Sequence, residues 1–113
     1  MQAWATFAKR SDSVVYASCL TLAEVTDGTA RDAAVRRAVK AVRLVVVGED
    51  VGYRAGQLRS AAATSRRKHR DLTVDAVVAA TALTLPTPVI VLTSDPADLR
   101  LLLVDHDVRI EAI

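Results

Sequence analysis

Four short apolar runs constrain this chain more than any other feature: residues 14–19 ("VVYASC"), 43–47 ("RLVVV"), 89–92 ("VIVL") and 108–113 ("VRIEAI"). Each is too short for a buried helix and rich in β-branched residues, so each predicts a strand. The strands read as continuously apolar, which predicts a parallel sheet covered on both faces. The intervening segments have helical character. A turn with Leu20, Leu22, Ala23, Glu24 and Val25 closes at Asp27-Gly28, and residues 29–42 repeat Ala34, Val35, Ala38, Val39 and Val42 at helical spacing. The stretch 49–64 is Ala-rich, 73–85 carries Val74, Val77, Val78, Ala80, Thr81 and Leu85, and a last helix spans residues 95–104. Strands alternating with helices predict an α/β domain.

With 113 residues, the chain fits one domain, 1–113, with a real core. Aromatic residues are only 4% of the total, so that core is built from Val, Leu and Ala. The formal net charge of +2 is too weak to establish a nucleic-acid partner by itself. Cys19 is the only cysteine, which excludes an intrachain disulfide, and it reads as a small buried residue. No run is long enough to span a bilayer, so the expectation is a cytoplasmic protein without a membrane partner.

The carboxylates follow a pattern of position. In an open parallel sheet, sites gather at the carboxyl ends of the strands. Glu24 lies just after the first predicted strand, Asp75 in the opening turn of its helix, with Asp71 or Thr73 as its cap, and Asp95 and Asp98 open the helix after "VIVLTS". Asp95 before Pro96 also makes an ordinary helix start, and acids favour first turns in any case. Convergence is what gives the acids chemical meaning. Crowded carboxylates repel one another unless a cation neutralises them, and Mg2+ or Mn2+ takes oxygen ligands with only one or two direct carboxylates. Such a site suits metal-assisted phosphodiester hydrolysis. Thr93 and Ser94 stand beside it as capping or orienting hydroxyls. Arg66, Arg67, Lys68 and Arg70 form a basic run shortly before Asp75, where cations could hold RNA phosphates; a solvated loop is the plainer reading. His69 and His106 have no metal-ligand spacing and receive no chemistry.

The stretches "LTLAEVTDG", "DLTVDAVVAATAL" and "VIVLTSDPADLRLLL", with the closing "VRIEAI", resemble the PIN-domain ribonucleases, most closely the VapC toxins of bacterial toxin–antitoxin pairs. The likeness covers roughly residues 13 to 113. It implies a three-layer α/β/α fold and a metal-dependent endoribonuclease with Glu24, Asp75, Asp95 and Asp98 as catalytic acids, Asp75 and Asp95 as metal ligands. It further implies RNA as substrate, a cognate antitoxin as inhibitor and a homodimer or higher oligomer.

One departure bears on all of this. The family opens with an apolar strand ending in a metal-binding Asp, whereas here no acid precedes Asp12, which lies before a strand rather than after one. Residues 1–10 read as the tail of a helix, with Trp4, Phe7 and Ala8 on one face. The family's first strand and most of its first helical region are therefore expected to be missing, and that strand belongs between residues 14–18 and 89–92. Three repairs are expected: the flanking strands close up, a partner chain inserts a segment, or the missing strand is present as a separate piece. An oligomer that also covers Trp4 and Phe7 is the favoured outcome. The competing function is a catalytically inactive PIN remnant that binds protein. A receiver-like signalling domain is weakened by the lack of an acid pair after a first strand, and no Gly-rich loop supports a nucleotide enzyme.

Overall fold

The computed structural model of the protein describes residues 3–6, 15–63, 71–93 and 96–112. The elements run β1 (Ala3–Thr6), β2 (Val15–Ser18), α1 (Cys19–Val25), α2 (Asp32–Ala38) with a 3-10 turn at Val39–Ala41, β3 (Arg43–Val45), α3 (Glu49–Ala63), α4 (Thr73–Leu83), β4 (Ile90–Thr93), α5 (Pro96–Leu102) and β5 (Arg109–Ala112). The fold is mixed α/β, as the alternation of runs predicts, with one five-stranded sheet in the order β3-β2-β1-β4-β5.

The centre of the sheet corrects the sequence reading twice. Residues 3–6, expected in a helix tail, form β1, the middle strand. The sheet is also not wholly parallel. β2 pairs with β3 and β4 with β5 in parallel, but β1 runs antiparallel to both of its neighbours, with Ala5 opposite Tyr16 on one side and Val91 on the other. None of the three expected repairs occurs. The gap between β2 and β4 is filled by the chain's own first residues, running in reverse. The cause is the cost of unpaired amides: a buried backbone group without a partner costs about 1–3 kcal/mol, and any extended segment within reach relieves it. Phe7 and Ala8 lie outside the described residues.

Register sorts the side chains into two faces. Tyr16, Ser18, Val45, Val91, Thr93 and Ile110 share one; Val15, Ala17, Leu44, Ile90, Leu92, Arg109 and Glu111 share the other. The first face meets the helices: α4 packs on β1 and β2, α5 on β5, and α3 lies outside against α4 and α5. On α3 the buried Val51, Ala55, Leu58 and Ala62 recur every three or four residues, a single stripe turned to α4. Helix α4 is buried from Asp75 to Ala82 on every side, which small residues permit because sheet and helices can approach it closely. The core also includes Leu72, Val91 and Leu99.

The second face is less covered, and β4 shows it. Val91 and Thr93 are fully buried while Ile90 and Leu92 are half-buried. Over the β2–β3 end of this face, α1, α2 and the 3-10 turn enclose a cavity of about 260 Å³ with Ala17, Thr21, Leu22, Val25, Val35 and Leu44 among its walls. The helix expected over 29–42 thus shortens to α2 and its 3-10 turn, and its apolar side stays partly open to solvent, with Ala34 and Ala38 exposed. Among the described residues, no helix is long and apolar enough to cross a membrane.

Candidate active site at one rim of the sheet

Because β2 and β4 run in the same direction, their carboxyl ends lie on one rim, and the helix that follows each begins there. β2 ends at Ser18, whose Oγ accepts the Leu20 amide at 3.1 Å and so caps α1. Glu24 lies in the last turn of this helix and is exposed.

Helix α4 runs back towards the start of β4, so its own first turn lies towards the rim where β4 ends. Its start is fixed by Asp71, whose Oδ1 accepts the Thr73 amide at 2.9 Å and the Thr73 hydroxyl; Arg59 donates to that same hydroxyl oxygen at 3.1 Å. Of the two expected caps, Asp71 is the acceptor and Thr73 its donor. Asp75 follows in the first turn and is only 4% exposed. A carboxylate there gains from the positive end of the helix dipole, which the surrounding apolar packing screens less than water would.

β4 ends at the fully buried Thr93, and Pro96 opens α5 with its φ already suited to a first helical position. Asp98 sits half-buried in that first turn, with its Oδ2 shielded from solvent, as is the Oδ1 of Asp75. Helices α4 and α5 are in contact. Ser94 and Asp95 lie outside the described residues, as does the basic run with Arg66, Arg67, Lys68 and Arg70.

The rim therefore brings the first turns of α4 and α5 to one end of the sheet, with Asp75, Thr93 and Asp98. It does not gather every predicted acid: Glu24, Asp75 and Asp98 do not form a group of three close enough to share one ion, and no such group of His, Cys, Asp or Glu occurs among the described residues. The central strand adds no acid here. Being reversed, β1 begins at this rim, and Ala3 lies opposite Thr93.

Sequence reasoning missed two further buried polar residues. Asp32 is 6% exposed at the start of α2 and binds backbone amides of the preceding turn. Thr21 is 2% exposed, and its hydroxyl has no hydrogen-bond partner. An Asp four residues after a Gly is a weak sequence signal for a turn clamp, and nothing in the sequence signals Thr21.

No protein-family model, curated protein or solved structure matches this chain.

Proposed function

We propose that the rim is the site of a PIN-like, metal-dependent endoribonuclease of the VapC kind. The observation that supports this best is the burial of Asp75 in the first turn of α4, at the end of the sheet where Thr93 and Asp98 also lie. Carboxylates are almost never this buried without a charge partner, a metal or a dense set of hydrogen bonds. Asp75 and Asp98 offer the oxygen donors that a hard divalent ion takes, with Asp95 three residues before Asp98 in sequence, and two carboxylates are enough for Mg2+ or Mn2+. When bound, the ion supplies charge neutralisation at a phosphate oxygen and a more acidic water. In this reading the chain's own residues hold and orient: Asp75 and Asp95 fix the ion, Asp98 and Glu24 shape the acid field around it, Thr93 and Ser94 order the start of α5, and Arg66, Arg67, Lys68 and Arg70 bind the RNA backbone. The helices on both sides of the sheet are compatible with a three-layer PIN-like arrangement. A cytoplasmic setting, a cognate antitoxin and a homodimer belong to the same proposal.

A second reading has its own support. β1 places Ala3, not a carboxylate, at the rim. A site short of its central acid fits a catalytically inactive PIN remnant that acts as a protein-binding module.

One experiment separates the two. Cleavage of structured RNA is measured with Mg2+, with Mn2+ and with chelator, alongside the rise in melting temperature on adding each metal. The nuclease reading expects metal-dependent cleavage that Asp75→Asn and Asp95→Asn abolish while circular dichroism is unchanged. Absence of both cleavage and metal stabilisation leaves the binding module standing. Robust cleavage in chelator rejects the mechanism.

A further inference from the structure

We infer that the cavity enclosed by α1, α2 and the 3-10 turn is a binding site for a small neutral aliphatic molecule with one hydroxyl or carbonyl group. Two departures from ordinary packing meet there. Protein interiors leave few voids larger than a water molecule, yet this one measures about 260 Å³. A buried hydroxyl usually has a hydrogen-bond partner, yet Thr21, in the wall of the cavity, has none for its Oγ1. The chain cures neither from within. Helices α1 and α2 have seven residues each, and α2 turns its small Ala34 and Ala38 to the cavity, which leaves the space unfilled. Both alanines and Leu44 are exposed, so the cavity has a mouth open to solvent. The Oγ1 of Thr21 is itself shielded. A turn about χ1 exchanges this hydroxyl with the methyl group and breaks no hydrogen bond, because none is made.

The walls decide the chemistry of the occupant. Apart from Thr21, every residue lining the cavity is Ala, Val or Leu. A carboxylate, phosphate or ammonium group would give up its water there and meet no opposite charge in these walls. They also hold no aromatic ring on which a flat ligand could stack. An aliphatic body fits them best. An apolar cavity of roughly 150 Å³ takes benzene, so one of about 260 Å³ takes a molecule of roughly ten heavy atoms. Thr21 then supplies a single hydrogen bond, as donor or acceptor, on an otherwise apolar surface, and this fixes which end of the ligand enters. The cavity lies on the face of the sheet opposite α4, away from Asp75, so the inference does not depend on the nuclease reading.

The test is a titration of the full chain with 1-octanol, octanoate and octylammonium, which share a chain length and differ in head group, followed by amide chemical shifts. The expected result is saturable binding of 1-octanol, with the largest shift changes at Thr21, Val35 and Leu44. The two charged molecules bind about tenfold more weakly or not at all. Thr21→Val raises the dissociation constant for 1-octanol about tenfold, through the loss of one buried hydrogen bond. Ala38→Leu, which fills the cavity from an exposed helical position without loss of helix propensity, abolishes binding. Circular dichroism confirms that both variants are folded. No saturable binding, or an affinity for 1-octanol indifferent to Thr21→Val, overturns the proposal. So does octanoate binding as tightly as 1-octanol, which would point to a cationic surface instead. Shift changes at Val35 and Leu44 that follow protein concentration without any ligand would mean that a second copy covers the cavity, and would overturn it too.

Discussion

Asp32 clamps Gly28: its Oδ2 accepts the Gly28 amide at 2.8 Å, while its Oδ1 accepts the amide of Asp27 at 3.0 Å. The buried carboxylate thereby holds the turn between α1 and α2, and Gly28 supplies the left-handed backbone, φ 79°, that lets both amides point inwards. Asp32→Ala leaves two amides without their acceptor and is expected to cost about 1–3 kcal/mol, measured by urea unfolding. A loss of a few tenths would mean that water replaces the carboxylate at no cost.

The same turn has a pH signature. Asp27 has its pKa lowered from 3.8 to about 2, first by the Thr29 hydroxyl, then by the Thr29 amide and the Arg31 guanidinium. A folded-state pKa below the unfolded one gives stability that is complete above 3.8 and is lost as pH falls towards about 2. Urea midpoints followed through that window should drop for the wild type, and Asp27→Asn should lack this component. Parallel curves for the two proteins would refute the assignment.

Thr21 reverses the usual sign of a core substitution. Its hydroxyl is buried without a partner, so Thr21→Val keeps the shape and removes the desolvated group. The variant should gain about 1 kcal/mol in chemical unfolding. A clear loss of stability would show that the hydroxyl has a partner in solution.

Glycines in α3 should behave in the opposite way from the one in the turn. A methyl group at Gly52 or Gly56 meets nothing within 4 Å, and both sit inside a helix. Gly52→Ala and Gly56→Ala should each stabilise by about 0.5–1 kcal/mol. Gly28→Ala also finds open space but must adopt φ 79°, so it should destabilise despite the room. Thermal melts of the three variants test the contrast directly.

The bridging role of β1 is a backbone property, so proline probes it. Ala5 is paired on both sides, with Tyr16 and with Val91. Ala5→Pro removes a ladder donor from the central strand and should cost about 2–4 kcal/mol. Stability unchanged to within a few tenths would mean that β1 does not complete the sheet.

The sequence was most informative where one physical signal dominated. The runs around Tyr16, Leu44, Val91 and Ile110 became β2, β3, β4 and β5, each shifted or shortened by a residue or two, because β-branched runs between helical segments have few alternatives. Helix α4 was legible from its apolar repeat and stop at Pro86. β1 was not, since "AWAT" is too short to carry a period and its state is decided by the vacancy between β2 and β4 rather than by local preference. The antiparallel direction is a tertiary property for the same reason. At the candidate site, the positions of Asp75 and Asp98 in first turns could be read from cap and proline signals. The burial of Asp75 could not, because it depends on α3, α5 and the sheet closing around α4.

The placement of β1 also governs the order in which this protein can be made. Ala3 leaves the ribosome well before its partner Thr93, which lies 90 residues further along the chain. Among the described residues, the β2–β3 and β4–β5 pairs have no backbone bonds to each other except through β1. The sheet therefore depends on one of the longest loop closures available to the sequence, and such non-local pairing slows folding. A nascent chain holds two half-sheets whose inner edges wait for the same short segment.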